Sequence, residues 1–130
     1  MHYHGTAAHW VAMALVEAIT GRDYRDYVRE EILEPIGLSD QIFVGAPEDV
    51  QGRCSDIHAF EDNLMVATDL NTIGWRTAGV PGAGGYATAY GMAAFYQMLL
   101  AGGVLNGTRI LSPRVIQFAS RNHTDDRVDH

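Results

Sequence analysis

Lysine is absent from this 130-residue sequence: all nine basic residues are arginines, against sixteen acidic residues. The formal net charge of −7 argues against a nucleic-acid partner and against an anionic membrane surface. The one cysteine, Cys54, excludes an intrachain disulfide and a zinc site built from cysteines. Without lysine, no Ser-x-x-Lys pair exists in these residues.

Long apolar runs are also missing. The most apolar stretch covers roughly 15 residues, whereas roughly 20 are needed to cross a bilayer, so no membrane span is expected. The N-terminus has no basic region and no cleavage-like end, which argues against a signal peptide. A composition with 47% apolar and 19% charged residues is typical of a globular protein, and the length fits one domain.

That apolar stretch is predicted to be one long helix. Thr6 is a suitable N-cap, and Gly21 can take the left-handed conformation that ends a helix. Glu17 is its only formal charge, and a helix that is apolar nearly all round belongs inside a larger structure. We expect Met13 and Val16 to point away from a later helix over residues 92–99. The residues expected to pack against that later helix are Trp10, Val11, Leu15 and Ile19.

Capping and turn signals divide the rest of the chain. Asp23 is expected to cap a second helix that ends near Leu33, because the residue before Pro35 disfavours helical geometry. A short strand is predicted at 42–44, and a turn of helix at 64–67. Further predictions are a cap at 69–71, a helix capped by Thr88, a hairpin through Asn106-Gly107, and a last helix capped by Ser112 with Pro113 following.

Four segments, in this order, resemble one family. Tyr3 precedes the capped apolar helix, which ends in Glu17-x-x-Thr20-Gly21. Pro35-Ile36-Gly37-Leu38 follows the second helix. Residues 81–103 contain a glycine-rich turn, a Ser/Thr position and a helix, and 107–113 reads G-x-x-I-L-S-P. Together they resemble the serine beta-lactamase-related hydrolases, which include class C beta-lactamases, DD-peptidases and esterases of the same fold.

The resemblance implies a fold class and a domain organisation. We expect a mainly α structure with a small β-hairpin, similar to the helical part of the beta-lactamase/transpeptidase-like α+β fold. Residues 1–119 would form a partial domain of this type, and the polar tail 120–130 is expected to be disordered. The chain would be an internal fragment that begins just before the tyrosine motif and ends before the strand that closes the site.

The resemblance also implies a chemistry. The family uses a Ser-x-x-Lys nucleophile, a tyrosine as base or proton shuttle, and a Lys/His-x-Gly strand. A serine hydroxyl is a poor nucleophile until a neighbour takes its proton, and a tyrosine does so only if cations lower its pKa. Tyr3 matches the catalytic tyrosine, with Gly5 at the position of the family's Asn. Residues Gly84, Gly85 and Thr88 match part of the substrate-binding wall.

These correspondences lead to two hypotheses of function. According to the first hypothesis, the chain is part of a serine hydrolase. This enzyme acts on a small-molecule ester, amide or β-lactam through an acyl-enzyme and needs no cofactor. Because no serine has a lysine three places on, the isolated chain is expected to be inactive. According to the second hypothesis, the chain is a non-catalytic remnant or an interaction module that self-associates through apolar helix faces.

Two other kinds of site fit the sequence less well. His2, His4 and His9, with His58 or Asp56, could surround zinc, but their spacing matches no known metal motif and no metal is expected. The glycine-rich segment 82–85 lacks the Lys-Ser/Thr of a phosphate-binding loop. A tight turn before the Thr88 cap is predicted there instead.

Overall fold

The computed structural model describes residues 7–61 and 64–124. The helices are α1 (Ala7–Thr20), α2 (Tyr24–Val28), α3 (Ile73–Ala78), α4 (Ala89–Leu100) and α5 (Pro113–Ala119). The strands are β1 (Ile42–Val44), β2 (His58–Glu61), β3 (Leu64–Ala67), β4 (Gly85–Ala87), β5 (Val104–Leu105) and β6 (Thr108–Arg109). The mainly helical fold class is confirmed. In the described part of the chain, no helix is both long and apolar enough to cross a membrane.

Local chemistry sets the end of α1 and the start of α2 as predicted, but the cap predicted at 69–71 was wrong, because Thr72 caps α3 by accepting the Trp75 N–H. Gly21 has a φ of 68° and donates its N–H to the Glu17 carbonyl at 2.8 Å, which closes α1. Asp23 caps α2 by accepting the Arg25 N–H at 2.8 Å. The Arg25 guanidinium also donates to this carboxylate and lowers the pKa of Asp23 to about 2. The predicted cap Thr6 lies outside the described residues.

The second helix ends where it was predicted to end, but with a wider last turn. After α2 the backbone continues as a π-helical turn over Arg29–Leu33, with Glu34 donating to the Arg29 carbonyl at 2.8 Å. An ion pair between Arg29 and Glu34 spans the same turn. Pro35 follows at once, and its ring and missing N–H prevent the helix from continuing.

The core lies between this turn and α4. Leu33, Ile36, Leu38 and Ala94 form a buried cluster, with Phe95 and residues of the β5–β6 hairpin packed around it. Asn106, at φ 50°, and Gly107, at φ 79°, form the predicted hairpin turn. The Asn106 amide donates to the Ile36 carbonyl at 3.0 Å, which ties the hairpin to the core.

The β structure is more extensive than one hairpin. Residues 7–61 and 64–124 contain three two-stranded antiparallel sheets: β1–β4, β2–β3 and β5–β6. The predicted strand at 42–44 is confirmed as β1, but the helical turn predicted at 64–67 was wrong. That segment is β3, paired with β2 in a register that places His58 opposite Ala67. A run of four apolar residues is too short for its periodicity to separate a helix from a strand.

Helix α1 presents the opposite face from the one expected. Met13 and Val16 are half-buried, whereas Trp10, Val11, Leu15 and Ile19 are exposed, Ile19 by 82%. The main contact of α1 among the described elements is with α2, not with α4. Because α1 is apolar nearly all round, its pattern alone does not select the face that packs.

Candidate active site

A glycine-rich turn leads from α3 into β4. Gly84 donates its N–H to the Val80 carbonyl at 2.6 Å, and its own carbonyl accepts the Gly45 N–H at 2.8 Å. Gly84 is buried, and a Cβ at this position would lie 2.2 Å from the Val80 nitrogen. Only a glycine lets the two backbone segments approach this closely. The tight turn predicted for this segment is confirmed at 81–83.

The turn positions a two-stranded ribbon. Strand β4 pairs with β1 in a register that puts Tyr86 opposite Phe43. Thr88 then caps α4, because its hydroxyl accepts the Gly91 N–H at 2.9 Å. The same hydroxyl donates to the Gln41 side-chain oxygen at 2.7 Å, so the cap also ties α4 to the residue before β1.

The ribbon borders two open cavities. The first, here called the α1 groove, has a volume of about 560 Å³. Its lining includes His9 and Met13 from α1, residues 80–83 of the glycine-rich turn, and Met92 from α4. Apart from the imidazole of His9 and two tyrosine hydroxyls, the lining side chains are apolar. The α1 groove therefore joins the glycine-rich turn to the helix that Tyr3 precedes in the sequence.

The second cavity, here called the Arg53 pocket, has a volume of about 330 Å³. It lies between the ribbon and the segment 50–57, and Arg53 and Tyr86 are among its lining residues. Residues 85–87 of β4 line both cavities, so this one strand borders each of them.

The residues of the predicted substrate wall have different surroundings. Gly84 lines neither of the two cavities within the described structure, Gly85 lines both, and Thr88 lines the Arg53 pocket. Tyr3, the predicted catalytic residue, lies outside the described residues. The assignment of these four residues to catalysis and substrate binding therefore stays a prediction.

The described histidines and serines do not assemble a catalytic pair. His9 lines the α1 groove, whereas His58 lies exposed on β2. His2 and His4 lie outside the described residues. Ser112 caps α5, and Ser120 donates back to the Ile116 carbonyl at 2.8 Å. Among the residues that the structure describes, no serine hydroxyl is hydrogen-bonded to a histidine or a carboxylate.

Sequence patterns did not identify two residues of this region, Arg76 of α3 and Tyr86 of β4. Arg76 is buried, and its guanidinium donates to the Asp56 carboxylate at 2.7 Å and to the Asn71 side-chain oxygen at 3.3 Å. This cation ties α3 to the segment before β2. Burial raises the pKa of Tyr86, with nearby Arg76 opposing the shift, so its phenol is a hydrogen-bond donor at neutral pH and not a base. No local sequence pattern indicates either role, because both depend on contacts between distant segments.

Solved structures with the same architecture define the fold. A family VIII carboxylesterase superimposes with a TM-score of 0.79 at 29% identity, over 92% of this chain and 36% of that one. A penicillin-binding protein homolog from Caulobacter crescentus superimposes with a TM-score of 0.71 at 24% identity, over 94% of this chain and 36% of that one. The fold is therefore that of part of a beta-lactamase-like esterase or penicillin-binding-protein homolog.

Sequence comparison identifies the family. The family model described as Beta-lactamase matches residues 1–128. The protein named Esterase/beta-lactamase LipL, from Mycobacterium tuberculosis (strain ATCC 25618 / H37Rv), is 27% identical over 92% of this chain. This chain belongs to the beta-lactamase family, as the four sequence segments predicted. It spans about a third of the length of these relatives, 34% of LipL.

Proposed function

We propose that this chain forms one wall of the active site of a serine hydrolase that cleaves a small-molecule ester, amide or β-lactam through an acyl-enzyme. Membership of the beta-lactamase family supports the reaction class. The names of two relatives, an esterase/beta-lactamase and a carboxylesterase, support an acyl substrate. The single observation that carries the proposal is the α1 groove, in which the glycine-rich turn and the helix that follows Tyr3 line one cavity.

Tyr3 is the proposed base or proton shuttle. Its family counterpart needs neighbouring cations, because a phenol with an ordinary pKa of about 10 takes up no proton from serine near pH 7. These 130 residues contain no lysine and no Ser-x-x-Lys. The nucleophile and the activating lysine therefore have to come from polypeptide other than these residues, and the chain by itself does not form an acyl-enzyme by this route.

A substitution of Tyr3 in the product of the complete reading frame that contains this chain tests the proposal. Tyr3→Phe should lower kcat for a p-nitrophenyl ester about 10²–10⁴-fold, the usual contribution of a positioned acid–base group. KM should change much less, because the phenol acts on proton transfer. The matched control is Tyr90→Phe, which removes a hydroxyl from a residue that is 70% exposed on α4.

Two outcomes would contradict the proposal. One is a Tyr3→Phe enzyme as active as the Tyr90→Phe control. The other is a complete reading frame that contains no Ser-x-x-Lys upstream of Tyr3, because that chain could not be acylated in the proposed way.

A second candidate function is association without catalysis. The observation that favours it is the exposed side of α1, where Trp10, Leu15 and Ile19 expose 49%, 56% and 82% of their surface. An apolar patch of this kind marks an association surface or an aggregation liability. We propose that the isolated chain self-associates through this face, whether or not the same face is covered in a longer protein.

A further inference from the structure

The Arg53 pocket is open to solvent, and two residues of the predicted substrate wall, Gly85 and Thr88, are among its lining residues. Ring and aliphatic side chains of Phe43, Val50, Ile57 and Tyr86 supply its apolar surface. None of its lining residues is acidic, although the whole sequence has a net charge of −7. A cavity of about 330 Å³ is at the lower end of the range for small-molecule sites.

Arg53 differs from the arginines that hold the fold together. Arg22, Arg25, Arg29 and Arg76 each pair with a carboxylate. Arg53 donates one N–H to the Asp40 carbonyl at 2.9 Å, and its guanidinium lies 5.8 Å from the centre of the Phe43 ring. Within the described residues no carboxylate pairs with it. A guanidinium has five N–H donors in a planar fork suited to a carboxylate, so Arg53 is held at the pocket with donors to spare.

Other lining groups are also donors without acceptors. The Gln41 side-chain oxygen accepts from Thr88, but its amide nitrogen has no partner among the described residues. The hydroxyls of Ser55 and Tyr86 likewise make no hydrogen bond in the described part of the chain. A pocket that combines unpaired donors, one unpaired cation and aromatic surface is complementary to an anionic oxygen group on a flat apolar body.

We infer that the Arg53 pocket binds a small aromatic carboxylate, with the carboxylate on Arg53 and the ring against Phe43 and Tyr86. Gly85 and Thr88 of the predicted substrate wall also line this pocket, but the inference rests on the free donors of Arg53 and the aromatic lining, and not on the proposed hydrolase activity. A neutral analogue of the same shape loses the ion pair and binds more weakly.

Nuclear magnetic resonance of the ¹⁵N-labelled 130-residue chain tests this inference with two probes, phenylacetate and its neutral isostere phenylacetamide. Phenylacetate should shift the amide signals of Ser55 and Gly85 saturably, with a Kd of about 1–10 mM, as is usual for a ligand of this size. Gly107, in the distant β5–β6 turn, should not shift. Phenylacetamide should bind at least about ten times more weakly.

Three variants separate charge recognition from a structural effect. Arg53→Gln should weaken phenylacetate binding about tenfold or more, and Arg53→Lys should restore part of it because the charge returns. Arg114→Gln, which removes an exposed arginine of α5 outside the pocket, should leave the Kd unchanged. The inference is wrong if phenylacetate gives no saturable shift up to about 50 mM. Equal binding of the amide, or equal binding by a folded Arg53→Gln chain, would overturn it as well.

Discussion

Gly84 and Gly85 are adjacent in the predicted substrate wall but meet different surroundings. A Cβ on Gly84 would lie 2.2 Å from the Val80 nitrogen and 2.6 Å from the Gly79 carbonyl carbon, both fixed backbone atoms. A Cβ on Gly85 would meet no atom within 4 Å. Gly84 thus holds the turn against the preceding backbone, whereas Gly85 presents its backbone to both cavities.

A pair of alanine substitutions tests this division. Gly84→Ala should destabilise the chain by about 1–3 kcal/mol or more, because backbone atoms cannot move aside as a flexible side chain can. Gly85→Ala is the matched control and should change the free energy of unfolding by less than about 0.5 kcal/mol. Urea denaturation followed by circular dichroism measures both. Equal stability of the two variants would show that the close contact at Gly84 does not constrain the turn.

At the residue scale, sequence reasoning worked where the chemistry is local. Asp23, Thr88 and Ser112 cap their helices as predicted, because a cap needs only a side-chain oxygen next to free N–H groups of the same segment. Arg76 could not be found in this way. Its partners Asp56 and Asn71 are 20 and 5 residues away in sequence, and only the folded chain brings the first of them near.

At the scale of elements, α1 is the least covered part of the molecule. The structure buries none of its described residues, and only Met13 and Val16 are half-buried. Each large apolar side chain left exposed forgoes about 1.5–3 kcal/mol of burial free energy. This exposed area is the physical reason to expect association through α1.

Charge substitutions on the two sides of α1 test that expectation. Ile19→Glu replaces a residue that is 82% exposed. It should reduce self-association and the binding of a hydrophobic dye, while the midpoint temperature of thermal unfolding stays nearly unchanged. Val16→Glu is the matched variant on the half-buried side and should lower the free energy of unfolding by about 1–3 kcal/mol. Size-exclusion chromatography with light scattering gives the mass of each. A wild-type chain that stays monomeric at high concentration, with weak dye binding, would contradict the association proposal.

The sequence predicted an element correctly when its residue pattern was compatible with only one local structure. The Asn106-Gly107 turn requires two residues with positive φ, and both have it. The packing face of α1 and the strand β3 were not predictable, for a shared reason. An all-round apolar helix and a four-residue apolar run each fit more than one partner, so tertiary contacts decide.

At the scale of the whole molecule, the described core is small. Its buried cluster joins the π-helical turn, the segment 36–38 and α4, and it leaves α1 outside. A chain that spans about a third of its relatives and carries an open apolar groove beside an exposed helix fits a part of a larger fold. In the described part of the polar tail, His123 and Arg121 contact Phe118 of α5. Residues 125–130 lie outside the described residues.

We propose that this chain supplies a wall of the active site but no serine that can be acylated. Covalent labelling of the purified 130-residue chain tests it most directly, with a fluorophosphonate and a penicillin as probes and intact-mass spectrometry as the readout. We expect an unchanged mass with both probes, because no lysine is present to activate any of its serines. A stoichiometric adduct on a serine, for instance on Ser55 in the Arg53 pocket and lost in Ser55→Ala, would contradict it.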